Sequence, residues 1–269
     1  MNSPTPTIFS IRLEGRLCGV EPSMDLTTAL TKLPSSPTAL EPFYWDDPDP
    51  SKGSRRPHAG SRGSSRASLA ISAGNRFRMM HVESGLEYKW AVVFDGLLKP
   101  SFFLEQPAPI SYIDSEGKKR SKRFDFFLVT SDRRIFVEIK PAYKVKKYGL
   151  EAIYQHISSQ ISAEIADEVL LLTDEDLHPD AVANAQLLRS SRRYPPWDLE
   201  DVLLRAAHGA DEDVSISGLI RAAGTEVASG FVAALRLIDH GRLVVRDEGR
   251  ISHRSRVHLV SRCLPGKAY

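Results

Sequence analysis

The stretch FDFFLVTSDRRIFVEIK, residues 124–140, decides how this chain is read. Two apolar runs flank a polar turn at Ser131 and Asp132. The first run carries Asp125. The second carries Glu138, with Lys140 two residues further on. Acid and base within strand-like sequence are costly to bury unless they are paired or bound to a metal. With Ser131 and Asp132 as a two-residue loop, residue 130 pairs with 133 and 127 with 136, so Asp125 falls opposite Glu138. Opposed residues of an antiparallel pair share a face. Side chains alternate, so Lys140 joins that face while Val137 and Ile139 point the other way. A slip of one residue would separate the acids. Two carboxylates from neighbouring strands suit Mg²⁺, a hard ion that takes oxygen ligands and keeps waters and substrate phosphates. Lys140 would orient or activate an attacking water and balance charge. The pattern suits the cutting of a phosphodiester. A surface hairpin with solvated charges and a Glu138–Lys140 pair accounts for the same letters, and the Ser-Asp turn lacks the glycine of the strongest hairpin signals.

The rest of the chain divides into three parts. Residues 1–68 are dense in Pro, Ser, Gly and Arg and have little to bury, so a poorly ordered, basic N-terminal region is expected there, with one short strand at IFSIRLEG. Residues 69–194 read as α/β. A helix is predicted over about 82–98, where Leu86, Trp90, Val93 and Leu97 recur at helical spacing. Strands are predicted near 101–105, 108–113, 123–130 and 134–139. A helix then begins near Tyr148, the apolar run EVLLLTD is a buried strand, and Asp180 to Arg192 is a further helix. The alternation suits a mixed sheet with flanking helices. Residues 195–269 follow a Pro-rich break at YPP and read as a small winged-helix-like domain. Three helices, one of them capped by Ser215 or Ser217, precede a basic hairpin turning at DEG. Such an architecture binds DNA and equally docks proteins, and the third helix, VASGFVAALRLIDHG, is poor in base-reading side chains.

Composition sets outer bounds. The 269 residues carry 36 Lys and Arg against 34 Asp and Glu, a net charge of +2. The basic residues cluster at SKGSRRPHAGSRGSSR, GKKRSKR, KVKK and GRISHRSR, and such clusters attract phosphate. Cys18 and Cys263 lie far apart and have no metal-like spacing, and His240, His253 and His258 make no metal cluster with them, which fits a reduced, cytoplasmic protein. No run is long and apolar enough to span a membrane, and the start lacks a secretion signal.

The order of the pieces points further. Helical ESGLE with Glu87, then EQP with Glu105 and Gln106, then GKKRSKR leading into FDF, then EIKP, resembles the TnsA-type transposon endonucleases of the PD-(D/E)XK nuclease superfamily. The resemblance covers roughly residues 70–190 and extends more weakly to the C-terminus, where that family has a second, helical domain. Phe124 stands where the superfamily name has proline. The resemblance implies a restriction-endonuclease-like sheet, with Glu87, Asp125 and Glu138 as metal ligands and Lys140 as the catalytic lysine. It implies Mg²⁺, with Mn²⁺ able to substitute, and DNA as substrate. It also implies cleavage of the 5′ ends of a transposable element together with a separate transposase, and contact with an AAA+ regulator. Glu87 read alone is a helix glutamate beside an apolar stripe, and Glu105 and Gln106 suit a structural role equally. In related nucleases the helix after EIKP carries polar residues toward the metal; Tyr154 and Gln155 are read here as its surface. Two other functions remain open: a restriction, phage or repair nuclease with the same core, and a DNA-binding or assembly module whose core is inactive. The intact Asp125, Glu138 and Lys140 argue against the last.

Overall fold

A computed structural model describes residues 47–55, 66–74, 76–194, 198–210 and 213–260. The strand expected at IFSIRLEG and most of the N-terminal region expected to be poorly ordered lie outside these. The described piece of that region, Asp47–Arg55, lies against the core, where Asp49 bridges to Arg78 and Ser54 N donates to Gln106 O.

Two strands not predicted from sequence come first. β1 (Ala67–Ala73) and β2 (Arg76–Val82) form an antiparallel hairpin with Gly74 at φ 67° in its turn, a conformation that favours glycine. Alternation sends Leu69, Ile71, Met80 and Val82 into the core. Helix α1 (Gly85–Val93) starts at Ser84, whose Oγ accepts from Glu87 N, and buries Trp90, Ala91, Val92 and Val93. Its winding then widens into a π-helical turn over Phe94–Leu98. Gly96 of that turn touches another helix so closely that a Cβ there would lie 2.7 Å from Ala185.

β3 (Phe102–Glu105) is followed by a separate two-stranded ribbon, β4 (Ile110–Ile113) and β5 (Lys119–Lys122). The basic GKKRSKR segment, read from sequence only as a charge cluster, therefore supplies a strand. Next come β6 (Phe126–Val129) and β7 (Arg134–Ile139), then α2 (Ala142–Tyr148) and α3 (Leu150–Ser158), broken at Gly149, then β8 (Glu168–Leu172). The helix expected to begin near Tyr148 is thus preceded by a separate one. The main sheet has the order β3-β6-β7-β8. Its first two pairings are antiparallel and β7–β8 is parallel, with α2 and α3 forming the crossover that a parallel pair requires. Register is as the turn predicted: Phe127 pairs with Phe136, and Thr130 N donates to Arg133 O.

Alternation on β6 and β7 makes two cores. Phe126, Leu128, Val137 and Ile139 pack with the β1–β2 hairpin, α1 and Phe103. Phe124 and Phe136 pack on the opposite face with Tyr154 and Ile157 of α3. Helix α4 (Pro179–Ser191) closes the first core. The remainder comprises α5 (Leu199–His208), β9 (Val214–Ser215), α6 (Ile216–Ala223), α7 (Val227–Asp239), β10 (Leu243–Val245) and β11 (Arg256–Leu259). Its three strands form a sheet in the order β10-β11-β9. Ser215, of the two serines predicted, caps α6. The β10–β11 connection runs well beyond DEG, because its backbone is tied to α4: Asn184 donates to Gly249 O at 2.9 Å and accepts from Ile251 N at 2.8 Å. This part shares its core with α4 through Leu188, and a buried ion network seals the seam. Arg189 and Arg192 pair with Asp95 at 2.6 and 3.2 Å, while Arg192 and Lys99 both pair with Asp239 at 2.7 Å. The whole is a mixed α/β arrangement with a mixed four-stranded sheet and flanking helices. Among the described residues no single helix is long and apolar enough to cross a membrane.

Candidate active site

Asp125 lies one step beyond the last paired residues of β6 and β7, Phe126 and Val137, which places it across from Glu138. Its Oδ2 accepts from Ile139 N at 2.8 Å. Glu138 is 1% exposed. Lys140 Nζ stands between the two acids, 2.6 Å from Glu138 Oε1 and 3.4 Å from Asp125 Oδ2, and also donates to Ile139 O. Two groups that the sequence reading did not place in the site join them. Lys122, at the end of β5, puts Nζ 2.7 Å from Glu138 Oε1, and Tyr154 of α3 donates its hydroxyl to the same oxygen at 2.7 Å. Glu138 Oε2 is buried without a hydrogen-bond partner.

Burial, reinforced by the charge of Glu138, pushes Asp125 up to about 7. Burial works to strip Lys140 of its proton, but the charges of Asp125 and Glu138 outweigh it and hold the ammonium above its ordinary range. Burial and the charge of Glu138 likewise keep the Tyr154 phenol protonated, as a donor must be.

The remaining predicted residues sit differently. Glu87 is buried, yet its carboxylate serves its own helix: Oε2 accepts from Glu83 N and Oε1 from Ser84 Oγ, each at 2.8 Å. Burial raises its pKa, and the Lys140 charge partly offsets this, so Glu87 stands within electrostatic reach of the lysine. Glu105 forms a buried 2.7 Å ion pair with Arg78 and accepts from Ser51 Oγ. Gln106 acts through its backbone, donating to Asp125 O at 2.9 Å. Both therefore support the strand end that carries Asp125. Gln155 is exposed on α3.

Among the described residues no three His, Cys, Asp or Glu side chains are grouped so that they could hold a metal ion. The expected set of Glu87, Asp125 and Glu138 is thus not gathered as a ligand triad, because the carboxylate of Glu87 is bonded to the start of α1. Asp125 and Glu138 nevertheless fit a hard divalent cation in two respects. They are paired oxygen donors that repel one another, and Glu138 keeps a buried oxygen without a hydrogen-bond partner.

The surroundings are basic. Lys118, Lys119 and Arg120 are exposed on the ribbon. On α2, which starts two residues after Lys140, Tyr143, Lys144, Lys146, Lys147 and Tyr148 are exposed, while Ala142 and Val145 anchor the helix. Lys144 and Lys147 lie over the rings of Tyr143 and Tyr148. Compared with models of known protein families and with curated protein sequences, the chain matches none.

Proposed function

We propose that this chain is a metal-dependent DNA endonuclease resembling TnsA, with a PD-(D/E)XK core and a winged-helix-like C-terminal part. The observation that carries the proposal is the acid pair of neighbouring strands, Asp125 and Glu138, bridged by Lys140 at 3.4 and 2.6 Å. An ion pair kept only for stability gains little from burying two like charges together. Asp125 and Glu138 would hold Mg²⁺ or Mn²⁺, which when bound would polarise the scissile phosphate and acidify a water. Lys140, held as an ammonium, faces the same space and would stabilise charge developing on the phosphate. Tyr154 fixes the orientation of Glu138 through its hydroxyl. The exposed lysines and tyrosines of α2 and the basic ribbon suit contact with a DNA backbone and with bases.

The C-terminal part, read here as winged-helix-like, spends most of its third helix internally. The second half of α7 is buried, its one arginine, Arg236, is bound to Glu200 and to Tyr194 O, and Arg246, Arg250 and Arg256 of the hairpin pair with Asp213, Asp180 and Asp247. Lys118 and Arg120 of the ribbon and Lys146 of α2 are likewise paired, with Glu116, Asp114 and Glu175, so we assign DNA contact to the exposed Lys119 of the ribbon and Lys144 and Lys147 of α2, which carry no ion pair among the described residues. The C-terminal part is assigned to docking of protein partners, a transposase and an AAA+ regulator by resemblance. A reduced, cytoplasmic setting belongs to the same proposal.

The test is incubation of the purified chain with supercoiled and pre-nicked DNA and Mg²⁺ or Mn²⁺, with and without a transposase encoded beside it. Cleavage that Asp125→Ala and Glu138→Ala each abolish supports the proposal. A chain that neither cuts nor binds metal, even with such a partner, would be the DNA-binding or assembly module instead. Cleavage in a gene neighbourhood without a transposase would favour the restriction, phage or repair nuclease.

A further inference from the structure

Glu138 Oε1 is contacted by two ammonium groups, where catalysis as proposed above uses one. With Asp125 ionised, as at pH 8, the charge of the two acids and two lysines balances without any metal: Asp125 and Glu138 carry two negative charges, Lys122 and Lys140 two positive. A divalent cation placed on the acids would leave two positive charges in excess in a largely buried space, which is unfavourable unless a cation leaves. The two lysines are not held equally. Lys140 also bonds Asp125 and Ile139 O and extends from the end of a central strand. Among the described residues, the Lys122 ammonium has one hydrogen-bond partner, Glu138, and otherwise lies over the rings of Phe124 and Tyr154 at 5.7 and 5.2 Å.

Lys122 also comes from the more detachable support. β4 and β5 pair only with each other, outside the main sheet. The ribbon rests on α3 and the residues just after it through Ile110 and Tyr112, which pack on the Phe124–Tyr154 core, and through Ile113, whose O meets His156 Nε2 and Gln160 Nε2 and whose N donates to Gln160 Oε1. Alternation places Arg120 on the same face of the ribbon as Lys122, and Lys119 on the other.

We propose that Lys122 is a displaceable counter-ion, which holds Glu138 while no cation is bound and moves to a DNA phosphate when one binds. Cation loading and DNA engagement by the ribbon are then coupled, each strengthening the other. This rests on the endonuclease reading above.

Calorimetry of Mn²⁺ binding to the full chain at pH 8, without DNA, tests the first half. Lys122→Met removes the charge and keeps the stem; Lys122→Gln serves if methionine disturbs folding. The variant is expected to bind Mn²⁺ about tenfold more tightly than wild type, the lower end of what one neighbouring charge does to a carboxylate's proton affinity. Fluorescence anisotropy of a short duplex with Ca²⁺ tests the second half. The variant is expected to bind DNA more weakly, with a salt dependence shallower by about one phosphate contact. Lys119→Gln, on the opposite face, should weaken DNA binding and leave Mn²⁺ affinity unchanged. Equal or weaker Mn²⁺ binding by the Lys122 variants, beside a wild type that binds and cuts, overturns this proposal and leaves the endonuclease reading standing. Tighter Mn²⁺ binding with unchanged DNA affinity overturns the transfer to phosphate. If wild type and variants alike bind no Mn²⁺, the endonuclease reading falls and this proposal with it.

Discussion

Replacing Asp125 by asparagine should stabilise the metal-free protein, and the size of the gain follows from the site. Asparagine keeps the shape and can still accept from Ile139 N, but it removes a charge buried beside Glu138. The carboxyl is raised from its ordinary 3.8 to about 7. At 1.36 kcal/mol per pH unit, holding it ionised costs up to about 4 kcal/mol. The sign is that of a raised acid: the cost is fully present above pH 7, shrinks as the pH falls through 7, and is gone below 3.8. That shift already includes the attraction of Lys140, but the N–H donors of a buried asparagine amide beside Lys140 find no acceptor there, which offsets part of the gain, so about 1–3 kcal/mol is expected at pH 8. Urea denaturation followed by circular dichroism, at pH 8 and at pH 4.5, measures this. The variant should exceed wild type at pH 8 and approach it at pH 4.5. Added Mn²⁺ should stabilise wild type at pH 8 and leave the variant unmoved. A variant less stable than wild type at pH 8 would refute the reasoning, since Asp125 would then be a structural partner of Lys140 and no functional cost would be stored in it.

The other predictions are smaller in scope. Because a metal ligand must be deprotonated, the apparent Mn²⁺ affinity of wild type should fall roughly tenfold for each pH unit below about 7, read by calorimetry; a flat profile from pH 8 to 6 would remove Asp125 from the ligand set. Lys140→Ala should slow cleavage about 10²–10³-fold while Mn²⁺ affinity is kept or rises, because a positive charge beside both acids is removed; joint loss of cleavage and Mn²⁺ binding would make the lysine a structural counter-ion. Arg192→Met leaves Asp95 and Asp239 short of a buried partner and should cost about 3–5 kcal/mol in urea denaturation, whereas a cost below about 1 kcal/mol would mean that the seam is held by its apolar contacts alone. Gly96→Ala forces a methyl against Ala185 and should cost about 1–3 kcal/mol, with no change expected if α4 can shift freely.

Much of the central sheet was legible because its signals are local. Alternating apolar residues around a two-residue turn specify the β6–β7 register, and register alone brings Asp125, Glu138 and Lys140 to one place. The helix of Pro179–Ser191 and the cap at Ser215 were readable for the same reason, since periodicity and capping act over a few residues. The β1–β2 hairpin, almost all of it within the part read as α/β, was assigned no element although its sign, Gly74-Asn75 between alternating runs, was present.

The amino-acid sequence by itself determined which acids and which lysine face one another across the hairpin, because side-chain alternation and turn length are fixed by the backbone. Only the tertiary structure decided what else reaches them. Lys122 arrives from a ribbon outside the sheet, and Tyr154 from the second helix of the β7–β8 crossover, 16 residues from Glu138 in opposite directions along the chain. It also decided that Glu87, which the family resemblance placed with the acids, accepts from Glu83 N and Ser84 Oγ at the start of its own helix. Pairings of that kind depend on where separate elements pack and on which buried donors need an acceptor, and neither is written in the spacing of residues along one strand.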